Sequence, residues 1–203
     1  MRPLPRFSGV RARIGTDIHS WIERRASGQG TLIELDEPPD LTLEELAGDP
    51  GSIERLRDAY LKSRFADVVP LWAERPFLLR LEGFPIRGRI DAIFGELDGS
   101  WEIVDWKTGR MPADPLQLDL YGLACVDIWH KRPEDVTLTY LYLATGEEVS
   151  QSMGDAREVR ARVTASLKAI EAGSYEPTPG PQCTHCDFRP FCDSGTAWLT
   201  ANA

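Results

Sequence analysis

Three observations in this sequence predict a mixed α/β domain. Three strand-like segments succeed one another between residues 74 and 108, separated by turn residues. A strongly apolar segment, LQLDLYGLACVDIWH (116–130), then reads as a helix, and VTLTYLYLATGEEVS (136–150) alternates like a strand. AREVRARVTASLKAIEAG (156–173) has the periodicity of an amphipathic helix and stops at Gly173.

The remaining elements follow in order. GTDIHSWIERRA (15–26) reads as a helix capped by Thr16, with Ile18, Trp21 and Ile22 on one face. GTLIELDEPPDLT (30–42) is a loop or short extended piece broken by Pro38 and Pro39, and LEELAG (43–48) is one short helix. SIERLRDAYLKSRFAD (52–67) is a helix with Ser52 as cap and Ile53, Leu56, Tyr60 and Leu61 in register. The three strands are ERPFLLRLEG (74–83), PIRGRIDAIFGE (85–96) and SWEIVDWKT (100–108), with Asp98 and Gly99 forming the hairpin turn before the last. The tail SYEPTPGPQCTHCDFRPFCD (174–193) is rich in proline and cysteine and must be held by something other than regular structure.

A chain of 203 residues fits one domain with a sizeable core, and 42% hydrophobic content is ordinary for a soluble protein. No apolar run approaches the length that crosses a bilayer, and the N-terminus lacks the apolar block of a secretory signal, so the expected location is cytoplasmic. A net charge of −9 argues against a protein that coats nucleic acid nonspecifically. The charge is uneven, however. Arg2, Arg6, Arg11, Arg13, Arg24 and Arg25 crowd the start, while acids gather around residues 34–46. A local basic path can still guide a polyanion.

Chemistry is concentrated in EIVDWKTG (102–109). Alternation along a strand puts Asp105 and Lys107 on one face and Trp106 on the other. If the second and third strands pair, Asp91 of GRIDAIF lies on the strand next to Asp105, with Lys107 just beyond. Converging carboxylates repel unless a cation lies between them, and Mg²⁺ suits such oxygen ligands. An ammonium nearby would stabilise developing negative charge. That set suits phosphodiester hydrolysis. The same residues also suit an ordinary ion pair on a solvated hairpin. Taken singly, His19 beside Trp21 suits a packed helix residue, Gln117 and Tyr121 suit a helix surface, and Cys125 suits a buried small hydrophobe.

The ordered set resembles a known family. GRIDAIF followed by EIVDWKTG is similar to the D…D-x-K core of the PD-(D/E)XK nucleases, in particular their RecB-like branch. GTDIH resembles that branch's upstream histidine motif, QLDLY its Q-x-x-x-Y motif, and CTHCDFRPFC its iron–sulfur staple. The resemblance implies a restriction-endonuclease-like core, with a mixed central sheet flanked by helices and a Cys-rich C-terminal tail. It implies Mg²⁺ or Mn²⁺ bound by His19, Asp91, Asp105 and the Trp106 carbonyl, with Asp91, Asp105 and Lys107 catalytic. Gln117 and Tyr121, four apart on one helix face, would touch DNA or surround the metal site.

Cys183, Cys186 and Cys192 present three thiolates in C-x₂-C-x₅-C spacing, one short of the four usual for a [4Fe–4S] cluster or structural zinc. RecB-like cluster nucleases take the fourth cysteine from before the histidine helix, where this chain has none. Three explanations stand: a chain that has lost the fourth ligand, zinc completed by His185, or an empty site. The first is favoured, and a cluster would then join the two ends of the domain.

The expectation is one nuclease domain over 1–203, with a catalytic core at 15–150, a helix at 151–175 and the Cys-rich tail at 176–203. It is expected to hydrolyse DNA, exonucleolytically at single-stranded ends. In texture the chain resembles the nuclease domain of actinobacterial UvrD-like helicases, which implies a repair role beside an ATP-driven helicase. No Walker A motif is present to make this chain the motor itself. The rival readings are a CRISPR-adaptation nuclease and a noncatalytic DNA-binding scaffold.

Overall fold

The computed structural model of the chain describes residues 10–27, 51–109, 113, 115–173, 176–186 and 188–202. The expected extended piece at 30–42 and short helix at 43–48 lie outside these residues, as do Arg2 and Arg6. Gly9–Thr164 form one compact unit, and the residues from Ala165 onward belong to a second.

The first unit is built on five strands. These are β1 (Trp72–Leu81), β2 (Phe84–Gly95), β3 (Trp101–Lys107), β4 (Val136–Tyr142) and β5 (Glu147–Ser152), lying in that order in one sheet. All neighbours run antiparallel except β3 and β4, which are parallel. Parallel neighbours cannot be joined by a tight turn, and the apolar helix α3 (Leu116–Trp129) makes the crossover. The fold is therefore the mixed α/β architecture expected, a mixed sheet flanked by helices.

The two N-terminal helices are α1 (Val10–Ala26) and α2 (Ser52–Lys62). Ile14, Ile18 and Ile22 recur every four residues along α1. They join Leu56 and Tyr60 of α2 in a core that rests on Ala92, Phe94, Val104, Trp106, Leu141 and Leu143 of one sheet face. Helix α3 covers the other face, where Gly122 lets it approach Met153 and Leu138. The amphipathic helix α4 (Ala156–Glu171) follows the sheet, with Val159 and Val163 buried.

Three elements differ from expectation. Helix α1 begins at Val10, so Thr16 is an interior residue, not a cap. The segment 136–150 is a hairpin instead of one strand: the Tyr142 carbonyl accepts the N–H groups of both Thr145 and Gly146, which turns the chain after the seven residues of β4. Finally, the tail contains regular structure. Short 3₁₀ turns at Pro181–His185 and Arg189–Phe191 precede helix α5 (Asp193–Ala201), whose N-terminus is capped by Cys192.

Candidate active site

Trp106 sets the orientation of the strand that carries the chemistry. Its indole is wedged edge-on against Tyr60 and Phe65, with ring centroids 5.4 Å away in each case. Anchoring Trp106 in the helical core sends Asp105 and Lys107 to the opposite face by strand alternation. Asp105 is almost fully buried there, 1% exposed.

Beyond the pair Ala92–Val104 the register of β2 and β3 ends, and Asp91 occupies the fork. The Trp106 backbone N–H donates to Asp91 Oδ2 at 2.9 Å. His19, presented by α1, enters the same fork. One ring nitrogen lies 2.9 Å from the Trp106 carbonyl oxygen, and Nδ1 lies 3.3 Å from Asp91 Oδ2.

Glu74 also reaches this place, and the sequence reading missed it. In the β1–β2 ladder Ala73 faces Ala92 and Arg75 faces Ile90, so Glu74 and Asp91 are left unpaired between them. Glu74 has φ +49, a left-handed conformation that a non-glycine residue adopts at a cost of about 1–3 kcal/mol. This kink brings Glu74 Oε1 to 3.9 Å from His19 Nδ1. His19, Glu74 and Asp91 each offer a ligand atom within 4.8 Å of the others. The available signal was Glu74 as the one acid of the β1 sequence WAERPFLLRL, but a strand pattern does not announce a left-handed residue within it.

Asp105 and Lys107 form the adjoining half of the site. The Lys107 ammonium lies 2.7 Å from Asp105 Oδ2 and donates to Gln117 Oε1 at 2.6 Å. Gln117 Nε2 donates to Asp105 Oδ1 at 2.6 Å and to the Tyr121 hydroxyl at 2.8 Å. Gln117 and Tyr121 are four apart on α3, so one helix face supplies both. Lysine is near enough for an ion pair, yet Asp105 Oδ2 receives no directed hydrogen bond.

The electrostatics of the two halves agree. Burial and the Asp91 charge push the Asp105 carboxyl up to about 6. The same two causes raise Glu74 above its ordinary value. Burial pulls the His19 imidazole down, but the hydrogen bond and charge of Asp91, helped by Asp105, outweigh it and the net shift is upward. The Asp105 and Glu74 carboxyls resist ionising here, and the spot favours positive charge. Carboxylate oxygens, one imidazole and a buried carboxylate oxygen without a directed donor fit a divalent cation.

A family profile, that of the PD-(D/E)XK nuclease superfamily, matches residues 2–193. The chain belongs to the PD-(D/E)XK nuclease superfamily. Its five-strand mixed sheet between helices agrees with the restriction-endonuclease-like fold of that superfamily. Two phage proteins are similar to this PD-(D/E)XK domain. The Gene 69 protein of Mycobacterium phage L5 is 31% identical over 129 residues, 59% of this chain and 43% of the phage protein. The Gene 69 protein of Mycobacterium phage D29 is 27% identical over 123 residues, 57% of this chain and 45% of its own length. The match thus spans less than half of either phage protein. Among solved structures, the crystal structure of SSO0001 aligns with 89% of this chain and 84% of its own, at TM-score 0.44 and 18% identity.

Among the cysteines of this PD-(D/E)XK chain, Cys125 lies where expected. It is buried in α3, and burial pushes its thiol up to about 12, as suits a small hydrophobe. In the second unit Cys183 is buried, Cys192 half-buried and Cys186 exposed. The Gly180 N–H donates to Cys183 Sγ at 3.4 Å and the Gly195 N–H to Cys192 Sγ at 3.3 Å. Both sulfurs flank Gly195, where a Cβ would meet them at 3.3 and 3.4 Å. The His185 side chain lies outside the described residues. Among those residues, no helix is long and apolar enough to cross a membrane.

Proposed function

We propose that this PD-(D/E)XK domain is a divalent-cation-dependent deoxyribonuclease that cleaves single-stranded DNA at its ends. The observation that carries the reading is the convergence of His19, Glu74 and Asp91 in the fork beside Asp105 and Lys107. In this reading His19, Glu74, Asp91, Asp105 and the Trp106 carbonyl hold Mg²⁺ or Mn²⁺. Once bound, the cation supplies positive charge for the phosphate oxygens and lowers the cost of generating the nucleophile from water.

The chain's own groups do the rest. Lys107 stands where negative charge grows on the scissile phosphate and offsets it without reorganising. Gln117 holds Lys107 and Asp105 in register, so the ammonium is already aimed before substrate arrives. Trp106 fixes the strand from behind. We take the three tail cysteines as part of an iron–sulfur ligand set whose usual fourth ligand, a cysteine before the His19 helix, this chain lacks, and the domain as the nuclease partner of a DNA helicase in repair. The N–H···S bonds at Cys183 and Cys192 suit thiolate ligands. Iron and acid-labile sulfide measured on anaerobically purified protein test that assignment.

The central test is cleavage of labelled single-stranded DNA in Mg²⁺ and in Mn²⁺. Asp105→Ala and Lys107→Ala are each expected to abolish it while leaving the circular dichroism spectrum unchanged. Cutting at the wild-type rate by both variants would overturn the site assignment.

A further inference from the structure

We infer that a hollow next to the lysine is a seat for one unpaired nucleobase of the bound strand. The inference rests on the nuclease reading and extends it to how the substrate is gripped. The hollow has a volume of about 210 Å³ and lies between the start of α3 and the β4–β5 hairpin. Tyr140, Tyr142 and Leu118 line its base; Val149, Glu147 and Gln151 line its rim.

Strand register makes it continuous with the candidate active site. Tyr140 is the partner of Asp105 across β3–β4, and Tyr142 the partner of Lys107. Val149 faces Tyr140, and Glu147 faces Tyr142, across β4–β5. Directly opposed residues share a face, so the carboxylate, the lysine, both tyrosines and the hairpin rim form one continuous surface. The Lys107 ammonium, 5.1 Å from the Tyr140 ring centroid, marks the border between its charged and aromatic parts.

The chemistry of the two parts selects different pieces of one ligand. Phosphate belongs at the lysine. It is unsuited to the hollow, where the exposed carboxylate of Glu147 repels it. A nucleobase is the uncharged, flat remainder of a nucleotide, and aromatic side chains hold any of the bases by stacking. Glu147 and Gln151 at the rim can accept from exocyclic amino groups. A paired base must first give up its pairing and stacking to enter, so the hollow favours a single strand.

The test uses the full chain and a single-stranded oligonucleotide carrying 2-aminopurine, titrated in Ca²⁺ so that binding is read apart from cleavage. Val149→Trp and Gln151→Trp fill the hollow from two positions on the exposed edge strand β5, neither in the catalytic cluster. Wild type is expected to change the 2-aminopurine fluorescence, and both variants to lose that change with about tenfold weaker binding. A fully abasic strand is expected to bind all three proteins alike. Both variants binding and reporting like wild type, or wild type holding the abasic strand as tightly as the normal one, would overturn the inference. A wild type that keeps the Val149-dependent signal but cuts no DNA in Mg²⁺ or Mn²⁺ would instead overturn the nuclease reading and leave the base seat standing.

Discussion

The side-chain oxygen of Gln117 receives the Lys107 ammonium at 2.6 Å. The nitrogen of the same amide donates to Asp105 at the same distance, so one residue of α3 spans the two charged residues of β3. A salt bridge alone would let the lysine swing about its carboxylate. The amide adds a third point and fixes the direction of the ammonium. Gln117→Ala is therefore expected to lower kcat by about 10–100-fold with little change in KM, the cost typical of losing a residue that orients a ligand or catalytic group. Steady-state cleavage of a short oligonucleotide measures the split, and Gln117→Glu, which keeps an oxygen for Lys107 but turns repulsive toward Asp105, should not restore the rate.

Glu74 gives a second expectation. Its left-handed backbone serves no sheet pairing, since the ladder skips it, but brings its carboxylate to the fork. Strain held at such a point is understandable if the carboxylate holds a cation. Glu74→Gln keeps shape and polarity while removing the charge, and Mn²⁺ affinity should fall about tenfold or more. Calorimetric titration of the folded variant with Mn²⁺ measures this without reference to cleavage. Unchanged affinity would remove Glu74 from the ligand set.

How far the sequence was legible follows from how local each signal is. Alternation placed Asp105 and Lys107 on one face, because a strand has only two. Spacing of four put Gln117 and Tyr121 together on α3, because residues four apart are neighbours on one helix face. Three strands, the apolar helix and the amphipathic helix were all found from periodicity. The hairpin at Tyr142 was missed because the apolar run YLYL (140–143) leads straight into the turn, which Gly146 alone marks. Glu74 was missed because its role depends on a left-handed backbone and on the Asp91 opposite it, which neither strand's own pattern announces. Helix α5 was missed because its cap is a cysteine, which the C-x₂-C-x₅-C spacing had led the reading to treat only as a ligand.

The Asp105 carboxyl leads to a pH-dependent prediction about stability. In the folded, metal-free protein it keeps its proton up to about pH 6, against an ordinary value of 3.8. Between those two values the folded chain binds a proton that the unfolded chain has released, so stability falls as pH rises through the window. Above about pH 6 the loss is complete. Asp105→Asn has no such proton to lose. In metal-free buffer the variant should exceed wild type by roughly 1–3 kcal/mol at pH 8, less what Lys107 forfeits with its partner, and the difference should shrink toward pH 4. Urea denaturation at several pH values measures it. A difference that stays constant from pH 4 to 8 would contradict the raised carboxyl. Adding Mn²⁺ should narrow or reverse the difference by stabilising the wild type more than the variant.

Gly88, in the GRID segment of β2, connects strand packing to this same cluster. It faces Phe77 across the β1–β2 ladder, and the Phe77 ring lies over it so closely that a Cβ on Gly88 would fall 2.3 Å from Cζ. With its ring there, Phe77 meets Tyr121 edge-on at 5.9 Å, and Tyr121 is the residue whose hydroxyl accepts from Gln117. A rigid aromatic ring flanked by backbone has no easy retreat, so Gly88→Ala should destabilise the domain by about 1–3 kcal/mol, as overpacking does. It should also disturb Tyr121 and, through it, Gln117. Phe77→Leu in the same chain shortens the obstructing side chain and should recover much of the stability that Gly88→Ala loses, while leaving Tyr121 without its aromatic support. Thermal melts of the two single variants and the double variant form a cycle that reads the coupling directly. Additive losses would show that the ring and the missing Cβ do not compete for the same space.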